Sequence, residues 1–220
     1  MIVLAIDTAG VDCAVAVYDG ATGRVLGSVS ETIGRGHAER LIAMIDEALG
    51  KAGLTLSEIE RVAVTVGPGS FTGIRVGVAA ARGLALALGI ECVGVSTLSV
   101  LGNLPALKSS SKSSRTVLAA MNAHREEIYA QTFENGEPSD EPRVLALDDF
   151  LAQATPDTVT VVGSAMALLA DRAAQTEPDH FPIEIVAALG ARAKAQGKPK
   201  PLYLRGPDAK PQTGFAVSRA

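Results

Sequence analysis

The sequence predicts an α/β protein built as two similar halves, each with a mixed sheet, and three observations carry that expectation. Short β-branched runs alternate with amphipathic helical segments from the first residues onward. A Ser- and Lys-rich stretch, 102–115, breaks the apolar periodicity in mid-chain. The strand–turn–strand opening of residues 2–18 then returns at 116–133, which reads as an internal duplication. The division this gives is 1–101, a flexible connection over 102–115, and 116–220 ending in a Pro-rich basic tail.

Residues 2–6 and 13–18 are apolar runs around a short turn, and 24–32 makes a third strand after Asp19-Gly20 and Thr22-Gly23. Between 38 and 51 the apolar positions Leu41, Ile42, Ile45, Ala48 and Leu49 share one helical face, and Gly53 stops that helix. Ser57 and Glu60 have the spacing of a capping box. A buried strand follows at 62–66, Gly67-Pro68-Gly69 turns the chain, and a helix runs over 71–88 into a strand at 92–95. In the second half the pattern predicts strands at 116–121, 127–133 and 158–162, with a turn at Asn135-Gly136. Helices are expected at 148–153 with Asp148 as cap, at 164–175, and at 184–196 with Gly197 as the stop. That last helix is placed to pack back on the first half.

The chain has 220 residues, 47% of them hydrophobic and 20% charged, enough to bury a sizeable core. Its net charge of −4 leaves no surplus of cations to displace counterions, which argues against a dedicated nucleic-acid binder. Met1 leads directly into Ile2-Val3-Leu4-Ala5-Ile6 and then Asp7, unlike the basic start and longer apolar run of a signal peptide. No stretch of 18 or more residues reads as free enough of charge to span a bilayer. Cys13 and Cys92 lie in strand-like apolar contexts and read as free thiols of a reducing compartment, so the expected location is the cytoplasm.

The segment from Val64 to Gly77, VTVGPGSFTGIRVG, is the most specific feature. It is no Walker A loop, because no Lys follows the last glycine to reach a phosphate. Nor is it a nucleophile elbow, since the second glycine comes one place late after Ser70, which reads instead as the cap of the following helix. His37, His124 and His180 show no ligand spacing and no HExxH motif exists, so neither a metal nor a cofactor is expected.

The helix over 71–88 carries only two charges, Arg75 and Arg82, and a stripe of small residues at Gly73, Gly77 and Ala81. A helix apolar nearly all round must be covered on more than one side. Either the neighbouring helix and the second half cover it, or a partner does, and the composition favours the partner. The predicted partner face comprises Leu41, Ile45, Gly73, Ile74, Arg75, Gly77, Val78, Ala81 and Arg82. The basic loop with Lys108, Lys112 and Arg115 reads as a solvated linker, and Lys198, Lys200, Arg205 and Lys210 of the tail give no decisive signal for RNA.

The 64–77 segment resembles the signature of the TsaB (YeaZ) family. Ala5-Ile6-Asp7-Thr8-Ala9, Gly36-His37-Ala38-Glu39-Arg40-Leu41, Met121-Asn122-Ala123 with Ile128-Tyr129, and Pro201-Leu202-Tyr203-Leu204-Arg205 extend the resemblance along the chain. It implies a duplicated actin-like ATPase fold and a role in threonylcarbamoylating the adenosine 3′ to the anticodon of tRNA. It further implies a non-catalytic subunit that scaffolds and activates the transferase TsaD, joined by the small ATPase TsaE, with tRNA met only indirectly. A homodimer through the same face is the alternative for the isolated chain.

Actin-like ATPases wrap phosphates with one turn from each half and supply carboxylates from those turns. Here the first turn keeps Asp7 but continues Thr8-Ala9-Gly10, and the second, Asn122-Ala123-His124-Arg125, has neither a glycine nor an acid at Asn122. An amide cannot act as a general base, so hydrolysis is not expected and Asp7, Thr8 and Asn122 keep at most a residual nucleotide contact. Asp7 reads chiefly as a turn carboxylate bonded to its own backbone. Two histidines of the related metal-binding family align with Thr97 and Leu101, which argues against a metallopeptidase. A stand-alone actin-fold kinase is opposed by Asn122.

Overall fold

In the computed structural model the described residues are 1–104, 116–123, 126–155, 158–195 and 197–205. The chain opens with three antiparallel strands, β1 (Ile2–Asp7), β2 (Asp12–Asp19) and β3 (Arg24–Thr32). β1 and β2 pair from Ile2↔Asp19 to Asp7↔Ala14, which places the turn of residues 8–11 at one end of the sheet. Helix α1 (His37–Ala52) leads to β4 (Arg61–Gly67), and α2 (Phe71–Leu88) leads to β5 (Glu91–Ser96). β4 runs parallel to β1 and β5 parallel to β4, giving the order β3-β2-β1-β4-β5. Parallel neighbours need a crossover, which is why a helix separates each of these strands from the last.

A short helix α3 (Thr97–Gly102) precedes the second sheet, made of β6 (Thr116–Asn122), β7 (Glu127–Glu134), β8 (Glu137–Pro138), β9 (Arg143–Ala146) and β10 (Val159–Val162). Helix α4 (Leu147–Ala154) follows β9, and α5 (Ile183–Arg192) is the last helix. β6, β7 and β8 are antiparallel, β10 joins β6 in parallel, and β9 also pairs β7. In both sheets the first strand lies between the second strand, antiparallel to it, and a later parallel strand, β4 in one and β10 in the other. That repetition is the duplicated actin-like α/β fold expected from the sequence, with a mixed sheet in each half.

Alternation along β4 fixes the layers. A β-carbon at Gly77 of α2 would lie 3.4 Å from Val64, whereas one at Gly190 of α5 would lie 2.2 Å from Ala63. Adjacent strand residues point to opposite faces, so α2 covers one side of the first sheet and α5 the other. α5 therefore follows the second sheet in sequence but buries Ile183, Ile185, Val186 and Ala187 in the core of the first. Arg61 holds its end by donating to the carbonyls of Gly190, Ala191 and Ala193, at 3.0–3.2 Å. In β6 the alternation splits two cores: Val117 and Ala119 face the large one, Leu118 and Ala120 a smaller one with Ile128 and Phe150.

Several elements differ from the sequence pattern. The capping box is Thr55 with Glu58 on a single 3-10 turn, two places before the predicted pair. Asp148 lies inside the first turn of α4, whose N-cap is Ala146, and pairs with Arg172 instead. The helix predicted over 164–175 is only a 3-10 turn, Ser164–Leu169, with the Ser164 amide and hydroxyl both donating to Asp179. α5 ends at Arg192, short of Gly197, and Gly102 is part of α3, packed on Phe133. Residues 105–115 of the predicted linker, with Lys108, Lys112 and Arg115, lie outside the described residues, as do His124, Arg125 and Lys210.

The 18 residues of α2 reach a mean hydropathy of 1.4, long and apolar enough by composition to cross a membrane, contrary to the sequence expectation. In this fold the helix lies on the sheet, with Ile74, Val78, Ala81 and Ala85 buried.

Candidate functional site: an inter-half cleft and a helical face

The glycine-rich loop after β4 is shaped by the β1 turn. Ser70 donates its amide proton to Ala9 O at 2.7 Å, and its hydroxyl accepts from Gly73 N at 3.2 Å, capping α2. The Thr8 hydroxyl donates to Gly73 O at 2.7 Å. A β-carbon at Gly69 would lie 2.4 Å from Ala9 O, one at Gly73 2.0 Å from Thr8 O, and one at Gly77 2.4 Å from Thr8 Oγ1. The small-residue stripe thus admits this chain's own β1 turn, and the backbone approach predicted for a partner is made internally.

This corrects most of the predicted partner face. Leu41, Ile45, Gly73, Ile74, Gly77, Val78 and Ala81 are buried within the chain, and only Arg75 and Arg82 of that set reach the surface. The outward faces of α1 and α2 carry different residues. Ile42 and Phe71 are each 56% exposed and Leu86 is 77% exposed, with Ala43, Ala79, Gly83 and Ala87 exposed among them. An apolar outer surface is therefore present on the side of α2 roughly opposite the stripe, while the exposed side of α1 also carries Glu39, Asp46, Glu47 and Lys51.

Asp7 and Thr8 are both fully buried. Asp7 Oδ1 accepts from Ala9 N at 3.0 Å and from the Thr65 hydroxyl at 2.6 Å, while Oδ2 has no hydrogen-bond partner among the described residues. Burial pushes its carboxyl up to about 6, and the Thr65 and Ala9 hydrogen bonds hold it from rising further. Asp7 is thus a turn carboxylate braced against β4.

Beyond the turn lies a cleft of about 360 Å³ between the halves, lined by Gly10, Ser70, Asn122, Ser164, Asp179 and Phe181 among others. Asn122, at the end of β6, donates its backbone N–H to the Ser164 hydroxyl at 2.9 Å, and its side-chain amide donates to Thr176 at 3.1 Å. Segment 176–181 runs across the opening. A β-carbon at Gly10 would meet Asp179 O at 2.9 Å and the Phe181 ring at 3.2 Å. His180 pairs with Asp12 at 2.5 Å, and Asp12 also accepts from Thr32 at 2.6 Å, while buried His37 reaches Asp12 O. Segment 176–181 thus packs against part of the turn, while Gly10 and Val11 stay half-exposed in the cleft wall. The lining also brings Glu177 and Asp179, and burial raises the Asp179 carboxyl from its ordinary value. A polyphosphate would meet carboxylates here rather than amide donors.

Thr97 is buried and donates to Pro68 O at 2.6 Å, and Leu101 is buried beside it in α3. Among the described residues no three His, Cys, Asp or Glu side chains gather where they could hold a metal. Cys13 and Cys92 are free thiols, both pushed up to about 11 by burial.

The sequence reading missed Asp12, Ser164, Asp179 and His180, which join the halves, because their partners are distant in sequence. It also missed Phe71, which shares with Tyr203 the outer end of α2.

A family profile for TsaD, tRNA N6-adenosine threonylcarbamoyltransferase, matches residues 20–150. The tRNA threonylcarbamoyladenosine biosynthesis protein TsaB of Escherichia coli is 36% identical over 137 residues, covering 62% of this chain and 57% of that protein. The chain thus spans under three fifths of the length of the TsaB relatives it matches. An uncharacterised Mycobacterium tuberculosis protein is 36% identical over 215 residues, 95% of this chain and 94% of its own. Among solved structures, a Pseudomonas aeruginosa protein with similarity to peptidase YeaZ superposes with a TM-score of 0.74 at 26% identity, covering 93% of this chain and 99% of that one. Fold, turn architecture and these likenesses agree: the chain belongs to the tRNA N6-adenosine threonylcarbamoyltransferase (TsaD) family, within its TsaB/YeaZ group.

Proposed function

We propose that this protein is a non-catalytic subunit in tRNA threonylcarbamoyladenosine synthesis, a scaffold and activator of the TsaD transferase, with the ATPase TsaE as third member. The observation that carries the reading is the cleft's lining: segment 176–181 packs against Gly10 and brings Glu177 and Asp179 into the wall, and Asn122 stands where the second half would need an acid. A chain whose second turn lacks that acid contributes by binding rather than by chemistry. Support for a binding role comes from the outward apolar surface of α1 and α2, around Ile42, Phe71, Ala79 and Leu86, with Arg75 and Arg82 along it. This face replaces the buried stripe as the proposed site for TsaD, or for a second copy when the chain is alone. tRNA is met through the transferase, and the cytoplasm is where that substrate resides.

The test is genetic and biochemical together. Depleting the protein should remove threonylcarbamoyladenosine from tRNAs reading A-starting codons, measured by mass spectrometry of nucleosides, and purified TsaD should bind it. Ile42→Glu, which places a charge on the exposed face, should fail to restore the nucleoside while folding normally. Unchanged modification after depletion would end this reading.

A further inference from the structure

The C-terminal segment 197–205 returns to α2 after α5. Pro199 lies beside Gly94 of β5, the Leu202 amide donates to Val66 O at 2.7 Å, and Arg205 pairs with Glu127 at 3.1 Å. This path brings Tyr203 next to the first turns of α2. There the Arg75 guanidinium lies over the Phe71 ring, its carbon 3.5 Å from the ring centroid, and Nε donates to the Tyr203 hydroxyl at 2.8 Å. The two rings stand 5.7 Å apart and tilted by 36°, with Arg75 also 5.7 Å from the Tyr203 ring. Phe71 is 56% and Tyr203 49% exposed, so this group forms part of the outer surface.

Of the nine other described arginines five pair with acids of this chain, and among the described residues Arg24, Arg35, Arg82 and Arg192 do not. Arg40 pairs with Glu31, Arg61 with Glu91, Arg143 with Asp140, Arg172 with Asp148 and Arg205 with Glu127. Arg75 has no carboxylate among the described residues, and α2 contains no acidic residue from Phe71 to Leu88. A guanidinium offers five N–H donors in a planar fork. Here one is used by the phenol and one face by an aromatic ring, which leaves the terminal Nη1/Nη2 edge fixed in direction and open. That edge matches the two oxygens of a carboxylate.

We propose that Phe71, Arg75 and Tyr203 form a clamp for a carboxylate presented by the transferase subunit, with the C-terminal segment setting the clamp's geometry. This rests on the reading that the transferase docks on the outer face of α1 and α2. One cation flanked by apolar surface suits a single ion pair within a protein interface, whereas a nucleic-acid backbone calls for several cations together. Arginine and tyrosine are also the residues on which interface energy concentrates. Tyr203 is a positioning residue: it holds Arg75 and need not touch the partner.

The experiment is calorimetric titration of the full chain with the purified transferase subunit of the same organism, with thermal unfolding of each variant alone. Arg75→Ala should weaken binding about 30- to 100-fold, the loss typical of a central interface arginine. Arg75→Lys should recover only part of this, since an ammonium cannot make the paired contact. Tyr203→Phe keeps the ring and removes the phenol, and should weaken binding several-fold while steepening its salt dependence. All three should unfold within a degree or two of the unaltered protein, because the three side chains are largely on the surface. Tight binding by the unaltered protein that Arg75→Ala leaves within twofold overturns the clamp alone. Full rescue by Arg75→Lys overturns the paired geometry. Loss of tRNA retention with subunit affinity kept would make the ligand a phosphate, and loss of self-association with transferase affinity kept would make it a second copy; either overturns the proposal. Absence of binding by the unaltered protein would instead remove the reading on which the clamp rests.

Discussion

The Thr8 hydroxyl donates to the Gly73 carbonyl across 2.7 Å, tying the end of β1 to the first turn of α2. Thr8 is fully buried, and its Oγ1 would also be 2.4 Å from a β-carbon at Gly77. Helix and turn are therefore in van der Waals contact along the small-residue stripe.

Gly77→Leu should accordingly destabilise the isolated chain. Helix propensity favours leucine over glycine, but overpacking against a buried, hydrogen-bonded threonine costs ~1–3 kcal/mol and outweighs it. The expected fall in melting temperature is roughly 3–10 °C for a chain of this size. A variant that melts like the unaltered protein while losing affinity for the transferase would return the stripe to the surface.

Asp7 gives a pH signature. Its folded-state carboxyl sits at about 6, above the ordinary value of 3.8, so the folded chain holds a proton that the unfolded chain releases between those limits. The penalty is absent at low pH, grows as pH rises through this window and is complete above it, at ~3 kcal/mol as an order of magnitude. Asp7→Asn should therefore gain stability relative to the unaltered protein from pH 4 to pH 7, measured as the difference between urea unfolding curves. The gain will fall short of the full penalty, because the amide N–H₂ takes the place of the unpartnered Oδ2. A pH-independent difference would show that the proton is lost in the ordinary range.

Arg61 should matter more than its ion pair suggests. It donates to three carbonyls at the end of α5 and pairs with Glu91, which is far more exposed than Arg61 itself. Arg61→Ala leaves those carbonyls without their cationic donor and should cost about 2 kcal/mol. Glu91→Gln should cost only a few tenths, as exposed pairs usually do. Equal losses in the two variants, read from denaturant midpoints, would place the energy in the ion pair.

Most strand positions and the duplication were legible because apolar runs, glycine turns and helix periodicity agree locally, whereas the strand order was not. Asn135 and Gly136, both at positive φ, make the two-residue turn between β7 and β8 that their types predict. The 164–175 segment was misread because Ala and Leu propensity is a weak prior, and Ser164 is claimed instead by Asp179, fifteen residues away. The orientation of α2 was not legible for a different reason. A helix apolar all round has no polar face to mark its outside, and small residues permit a close approach to any backbone, including the chain's own. The Arg75 cluster needed the return of Tyr203, 128 residues later, which local pattern does not encode.

The placement of α5 has a mechanical consequence. A two-lobed protein works on a ligand by swinging its lobes about a hinge, and that swing requires each lobe to keep its own lining. Here the helix that follows the second sheet supplies the inner lining of the first lobe, with Gly190 set hard against Ala63 and Val186 and Ala187 fully enclosed. Parting the lobes would leave that helix seated, because it packs on β1, β2, β4 and β5 rather than on the second sheet. The chain therefore crosses between the lobes twice, once before β6 and again before α5, and the outer faces of α1 and α2 belong to a body whose last buttress is threaded in from the far end of the second lobe.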